Sequence, residues 1–522
     1  MTPEFLVDTR TESLVLHASD PFEVRGALSK SRTIDHPDYN LAVKHTIEST
    51  KVLRNLGYHV PAPIRYQYGW PGKFTPFDHQ IVMSEFLTLH RRAFNLSEMG
   101  SAKTNAALWA ADWLMKTGRV RKCLVISPLS TLDRVWANDI FDTLMHRKCA
   151  IVHGTRDRRK AALAADVDFY IVNHDGIAID EIEKIIARRP DIDLFIVDEA
   201  GMFRNHATRK YKALERLTRS SEIRLWLMTG TPCPNAPTDA WALAKLVDPN
   251  RVPKYFGGFK RATMMQISQF KWVPKADAFN TAYEAMQPAV RFKKADCLDL
   301  PPVTTQDHSC YLTKEQAKAC KDLQSTMAAE AKNHTITAVN AADKIGKLRQ
   351  ILCGAVKDTA TGEYITLPHA PRTQTLLDAI ESASAKVIVV APFRGIIHSL
   401  EKELAKHYSV GVLHGDVSPR ARDHIIRDFK SGPEPHVLLC HPQVMAHGLN
   451  LTEADTLIFY APIYSNDQVQ QVNERFNRAG QTRKMTIIRM GGHPLEWEIY
   501  KLIDAKKSVQ NSILDLYKAV TE

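Results

Sequence analysis

The chain has no Cys-x-x-Cys pair, and none of its eight cysteines falls at zinc-site spacing. Cys123, Cys149, Cys233, Cys297, Cys310, Cys320, Cys353 and Cys440 are scattered, which argues against a disulfide scaffold or a zinc site and reads as reduced, packed thiols. Apolar runs are short, and none approaches the ~20 residues that a membrane helix needs. Met1-Thr2-Pro3-Glu4-Phe5 lacks the basic-then-apolar pattern of a secretory signal. There is no short-period repeat and no low-complexity tract. Nor does a carboxylate cluster with a lysine stand out, as a nuclease would need. The expectation is a cytoplasmic chain without a membrane segment.

Apolar residues and positive charge are well supplied. The hydrophobic share is 44% of 522 residues, ample for real cores in about three or four domains. Lys+Arg number 69 against 58 Asp+Glu, a net charge of +11. That balance favours a polyanionic partner such as nucleic acid, although an ordinary basic enzyme can carry it too.

The stretch Glu98-Met99-Gly100-Ser101-Ala102-Lys103-Thr104 organises the chain. It follows the apolar run Arg92 to Leu96 and opens a helix-like run from Asn105 to Leu114. Strand, small-residue loop, Lys-Thr and helix make the layout of a phosphate-binding loop, whose N–H groups and positive helix end cradle a polyphosphate. Lys103 would reach the outer phosphates and Thr104 would ligate magnesium. Ala102 stands where such loops usually have Gly, and an ordinary strand-to-helix turn has the same outline. Gln80 lies about twenty residues upstream, and its amide offers a donor and an acceptor to an adenine edge.

Further apolar runs of buried-strand length follow at Arg121–Pro128, Asp168–Asn173, Leu194–Val197 and Leu225–Met228, with helical patterns between them. Alternation of this kind predicts a parallel sheet covered on both faces, with functional residues at the carboxyl ends of the strands. Asp198-Glu199 ends one strand. One carboxylate can hold magnesium and the other can take a proton from an attacking water, although two solvated acids in a turn look the same. Thr229-Gly230-Thr231 ends the next. A second α/β unit has strand runs at Lys386–Val390, Ser409–Leu413, His436–Leu439, Thr456–Tyr460 and Met485–Arg489. Arg475 and Arg478, three apart, share a helix face there and suit a polyphosphate's developing charge. Between the units, Lys254-Tyr255-Phe256, Phe259-Lys260-Arg261 and Phe270-Lys271-Trp272 interleave aromatic and basic residues. That pattern can stack bases and hold phosphates, and equally fits buried aromatics beside exposed cations. The pattern divides the chain into a small N-terminal unit at 1–72 with a linker over 61–72, a first lobe at 73–250, a helical or irregular region at 251–372, a second lobe at 373–494, and a closing helix at 495–522.

Together these motifs resemble the Swi/Snf-type helicase-like ATPases of superfamily two over roughly residues 75–490. Glu98 to Thr104 is similar to the family's Asp-Glu-Met-Gly-x-Gly-Lys-Thr loop, with Ser97 in place of its first Asp. Asp198-Glu199-Ala200-Gly201 resembles its Asp-Glu-x-His box, with Gly201 for the His. Leu227 to Pro232 resembles its Leu-Thr-Gly-Thr-Pro motif, Phe429-Lys430 its second-lobe Phe helix, and Gly448-Leu449-Asn450-Leu451 its Gly-Leu-Asn-Leu motif. Gln471 to Gln481 resembles its Gln-x-x-Asp-Arg-x-x-Arg-x-Gly-Gln motif, with Glu474 for the Asp.

The resemblance implies an α/β fold of two RecA-like parallel-sheet lobes in tandem, with ATP and Mg2+ bound in a cleft between them. It implies nucleotide contacts from Gln80, Met99, Gly100, Ser101, Ala102, Lys103, Thr104, Gly448 and Asn450. Thr104 and Asp198 would hold the metal, Lys103, Glu199, Arg475 and Arg478 would catalyse, and Thr229, Thr231 and Gln471 would couple the lobes. DNA-facing candidates are Ser127, Pro128, Asn173, His174, His441 and His447. The compact layout is similar to the family's phage branch of branch-remodelling helicases, which implies duplex or branched DNA as partner and a bacterial host cytoplasm. A strand-separating helicase on DNA or RNA is the alternative; a DNA-binding protein with a decayed ATP site, motivated by Ala102 and Gly201, is a further one.

Overall fold

The computed structural model describes residues 4–233, 236–268, 272–297, 301–333, 338–358, 361–445, 451–477 and 481–505. The chain divides into two units, Met1–Cys297 and Leu298–Glu522.

The first unit opens with an antiparallel sheet in the order Phe5–Asp8, Ser13–Leu16, Leu41–Lys44, Ser31–Thr33. Leu14 and Leu16 turn inward while Ser13 and Val15 are partly exposed, the period-two pattern of a half-buried strand. Helix Ile47–Asn55 starts at a capping box, in which the Thr46 and Ser49 side chains each accept the other's backbone N–H. The stretch 61–72, expected as a linker, is packed instead. Ala62, Ile64 and Tyr68 are buried with the core of the larger sheet. The Glu85 carboxylate accepts from the Ala62 N–H at 2.7 Å and from Arg65 at 2.6 and 2.9 Å. The Trp109 indole donates to the Pro71 carbonyl. The Pro and Gly residues punctuate this strap, but its apolar side chains still find a core to enter.

The larger sheet has seven strands, all parallel, in the order Ala289–Val290, Arg92–Asn95, Arg224–Met228, Ile192–Val197, Lys122–Ser127, Phe169–Asn173, Cys149–Val152. Its central strands are buried on both faces, as the continuous apolar runs require. Helix Lys103–Lys116 buries nine successive residues, Ala106 to Leu114. Asp112 among them is fully buried and accepts from Tyr68, His146 and Arg147 at 2.6, 2.9 and 2.7 Å. A buried carboxylate needs such partners, and these fasten the strap and the loop after Thr143 to one helix. Residues 251–286 form helix Phe256–Thr263, the hairpin Met264–Gln266 with Trp272–Pro274, and helix Ala278–Ala285. The chain then returns to the sheet edge as strand Ala289–Val290.

The second unit is a six-stranded parallel sheet in the order Val303–Ser309, Met485–Gly491, Ala454–Phe459, Lys386–Val390, Val437–Cys440, Val410–Leu413. Helices Lys314–Asn333 and Ala338–Cys353 precede the hairpin Ala355–Lys357 with Tyr364–Thr366, which turns through Gly362 at φ +75°. The last described helix, Pro494–Asp504, covers the start of the closing helix expected at 495–522, and residues beyond 505 lie outside the described residues. Strand Val303–Ser309 is polar and largely exposed at the sheet edge, and so leaves no apolar run to read. Among the described residues no helix is long and apolar enough to cross a membrane.

Candidate active site

In the first unit the functional side chains gather at the carboxyl ends of adjacent parallel strands. Strand Arg92–Asn95 runs into the loop, Gly100 takes φ +80°, and Ala102 takes φ +54° and ψ +43° at the N-cap of helix Lys103–Lys116. Ala102 therefore occupies the left-handed region that Gly enters without steric cost. It carries no side-chain acceptor, so no cap competes for the N–H groups of the first helical turn. The Lys103 ammonium lies back over the loop and donates to the Ser97 and Glu98 carbonyls at 2.8 and 2.9 Å. The buried Ser101 hydroxyl donates to the Glu98 carbonyl at 2.7 Å and closes the turn.

Two side chains of helix Asp78–Leu89 fix this loop from beneath. Gln80 is buried; its amide donates to the Ala102 carbonyl at 3.2 Å and accepts from the Phe77 N–H at 2.9 Å. Both amide ends are thus engaged within the protein, where an adenine edge was expected to meet them. His79 bonds the Ser101 carbonyl at 3.1 Å and stacks on Phe77. Burial lowers the His79 pKa, against the raising effect of that hydrogen bond. The sequence reading missed His79; its position one residue before Gln80 was the available signal.

Strand Ile192–Val197 delivers the acidic pair. Asp198 accepts from the Glu199 N–H at 3.0 Å and from the Trp136 indole at 3.1 Å. Trp136 lies fully buried on a π-helical turn, Leu132–Ala137, a distortion that re-aims side chains and is frequent at functional sites. Glu199 takes φ +48° and ψ +50°, a second left-handed non-glycine position within the site. Such strain persists only where the surroundings impose it. Trp136 is also a residue that motif reading missed, because its partner is 62 positions away.

The Thr229-Gly230-Thr231 turn lies against the phosphate loop. A Cβ on Gly230 would meet the Met99 nitrogen and Cγ at 3.0 Å, so a side chain here would push the loop back by a few tenths of an ångström. The Thr229 N–H donates to the Asn95 carbonyl, and the Thr229 hydroxyl accepts from the Thr231 N–H. A Cβ on Gly201 would sit 3.7 Å from the Thr231 carbonyl and 3.9 Å from the Thr229 hydroxyl. The box ending in Gly201 therefore faces this turn, and a Cβ there would make ordinary contact with it.

The expected DNA-facing residues divide. His174 is 5% exposed, and its ring bonds the Asp198 carbonyl at 2.8 Å, edge-on to Phe203. It is a positioning residue for the acidic strand end, not a surface contact; alternation along the strand end turns it inward. Ser127 is likewise fully buried, whereas Pro128 and Asn173 are partly exposed beside it at adjoining strand ends.

In the second unit His441 ends strand Val437–Cys440 and bonds the Pro392 carbonyl at 3.1 Å. Arg475 lies in the last turn of helix Asn466–Phe476, whose Val472 and Phe476 enter the core, with Gln471 partly exposed. The Arg475 carbonyl accepts from the Leu451 N–H. His447, Gly448, Asn450 and Arg478 lie outside the described residues.

A left-handed loop ahead of a helix, a lysine at the helix start and an acidic pair at a neighbouring strand end fit a polyphosphate. Residues 89–357 match the SNF2-related domain and residues 371–480 the helicase conserved C-terminal domain. The chain belongs to the SNF2-related family, with an ATP-binding helicase/translocase core. It is 25% identical over 85% of its length to protein p41 of Acyrthosiphon pisum secondary endosymbiont phage 1, covering 99% of that protein. It is 24% identical over 75% of its length to an uncharacterized ATP-dependent helicase of Mycoplasma genitalium, but spans only 37% of that relative. A solved Sulfolobus solfataricus SWI2/SNF2 ATPase core in complex with dsDNA is 22% identical, with a TM-score of 0.41, covering 87% of this chain and 95% of that one.

Proposed function

We propose that the chain is a DNA-dependent ATPase that moves along duplex DNA and remodels branched DNA. The observation that carries this reading is the convergence at the carboxyl ends of adjacent parallel strands of Lys103, the Asp198–Glu199 pair and the Thr229–Thr231 turn, with Gly230 packed against Met99 of the lysine's loop. Bound ATP with Mg2+ supplies the phosphoanhydride bond and a divalent charge on its oxygens. Lys103 and the first-turn N–H groups bind the phosphates. Thr104 and Asp198 would hold Mg2+, with the Trp136 indole, 3.1 Å away, orienting the Asp198 carboxylate. Glu199 accepts the proton of the attacking water. Arg475 and Arg478 are the arginines assigned to the developing charge, a role worth roughly 10³–10⁵ in rate. The net charge of +11 supports a polyanionic track.

The test is steady-state ATP hydrolysis at low salt, without nucleic acid and then with single-stranded DNA, blunt duplex, a four-way junction or RNA. Stimulation by duplex or junction that is lost in Glu199→Gln and falls steeply with added salt is the expected result. Stimulation by single strands alone would replace remodelling with strand separation. No hydrolysis on any substrate, with DNA binding intact, would overturn the enzyme reading.

A further inference from the structure

Helix Ala278–Ala285 is packed the wrong way round for a simple surface helix. Its small residues Ala278, Ala282 and Ala285 are buried, while Phe279 and Tyr283 are 57% and 49% exposed. Positions i and i+4 share one helix face, so the two rings stand together in water. Tyr255, which precedes helix Phe256–Thr263, is 72% exposed. Helix Ala278–Ala285 packs against helix Phe256–Thr263. The Lys275 amine donates to the Arg261 carbonyl at 2.7 Å, joining the end of the first helix to the start of the second. At the other end the Arg251 guanidinium lies 3.5 Å from the Glu284 carbonyl, beside the turn that carries Tyr255.

The charge of this surface points to its occupant. Lys254, Lys260, Arg261, Lys271 and Lys275 outnumber Asp277 and Glu284 over residues 252–284, while Arg251 is paired with Asp248 at 3.4 Å. Lys260 lies 4.1 Å over the Trp272 ring and Lys254 5.6 Å from the Tyr255 ring, so cations border aromatic faces. Not every aromatic here is available: Phe259 is buried, and Phe256 packs against Trp241. An unpaired nucleic-acid strand offers what the exposed rings and cations take together, flat bases to stack and phosphates to pair. A duplex keeps its base faces stacked inside, and an apolar protein partner would leave the cations unmatched.

We propose that Tyr255, Phe279 and Tyr283, flanked by Lys254 and Lys275, bind single-stranded DNA. Such a strand is the kind exposed where branched DNA is remodelled, and in that sense the inference rests on the function proposed above. The platform would hold an unpaired strand beside the motor, separately from the duplex track.

The test uses the whole chain. Binding of fluorescent oligo-dT and of a blunt duplex is measured by anisotropy for wild type, for Tyr255→Ala/Phe279→Ala/Tyr283→Ala, and for Phe279→Trp/Tyr283→Trp. Removal of the rings is expected to weaken oligo-dT binding by at least about tenfold, since each stacked base contributes substantially. Duplex affinity and DNA-free ATP hydrolysis should stay within about twofold, and the tryptophan variant should keep wild-type strand binding. Unchanged oligo-dT affinity in the alanine variant overturns the proposal, as does a shift in oligomeric state by light scattering with strand affinity unchanged. Failure of the motor reading is seen separately, as absent nucleic-acid stimulation of hydrolysis in the wild type.

Discussion

Arg372 and Glu496, 124 positions apart, form an ion pair at 2.7 Å with each side chain only 1% exposed. The guanidinium also donates to the Tyr460 and Leu352 carbonyls, and the Glu496 carboxylate accepts the Gly492 N–H at 2.8 Å. The pair joins helix Ala370–Glu381, the end of strand Ala454–Phe459 and helix Pro494–Asp504. Removing one partner leaves a buried charge uncompensated, at a cost of roughly 3–5 kcal/mol. Glu496→Gln should lower stability by that order in urea unfolding. A loss below about 1 kcal/mol would show that the pair adds nothing to the fold.

Ala102→Gly should stabilise the protein. A left-handed alanine costs roughly 1–2 kcal/mol, offset by the roughly 0.5–1 kcal/mol that glycine loses in ordering. The net gain expected is about 0.5–1 kcal/mol, with Ala102→Val destabilised instead. Equal urea midpoints for alanine and glycine would mean that the loop relaxes out of this conformation.

Trp136→Phe keeps most of the buried ring but removes the indole N–H from Asp198. If that hydrogen bond orients the carboxylate toward magnesium, kcat for ATP should fall by about tenfold, as for a lost charge-assisted hydrogen bond of roughly 1.5 kcal/mol. Half-saturating magnesium should rise in parallel. Loss of kcat with unchanged magnesium dependence would assign the ring to packing alone.

Burial lowers the pKa of His174 from its ordinary value of 6.5, although its bond to the Asp198 carbonyl works the other way. Below that value the unfolded chain binds the proton more readily than the folded one, so stability drops as pH falls. His174→Gln can still donate to the carbonyl and has no such proton to take. The drop in Tm between pH 7.5 and 5.5 should therefore be smaller in the variant. An identical drop would place the acid sensitivity elsewhere, for example at His79 or His441, whose pKa values are lowered in the same way.

Local pattern was enough for the parallel sheets, because a strand buried on both faces is a continuous apolar run wherever it lies. Arg121–Pro128, Asp168–Asn173 and Lys386–Val390 were legible for that reason, as were the loop and the acidic pair at the ends of such runs. Edge strand Val303–Ser309 escaped because an edge need not be apolar, and Cys149–Val152, although apolar, is only four residues long. The strap at 61–72 read as a linker because proline and glycine report a break in helix or strand, and do not report whether neighbouring side chains find a core. Residue type and spacing determined the chemistry available to this chain. Tertiary structure alone decided that Ala102 and Glu199 are left-handed, that Trp136 and His174 turn inward onto Asp198, and that Phe279 and Tyr283 face water. Each of these depends on neighbours tens of residues away, which no local pattern carries.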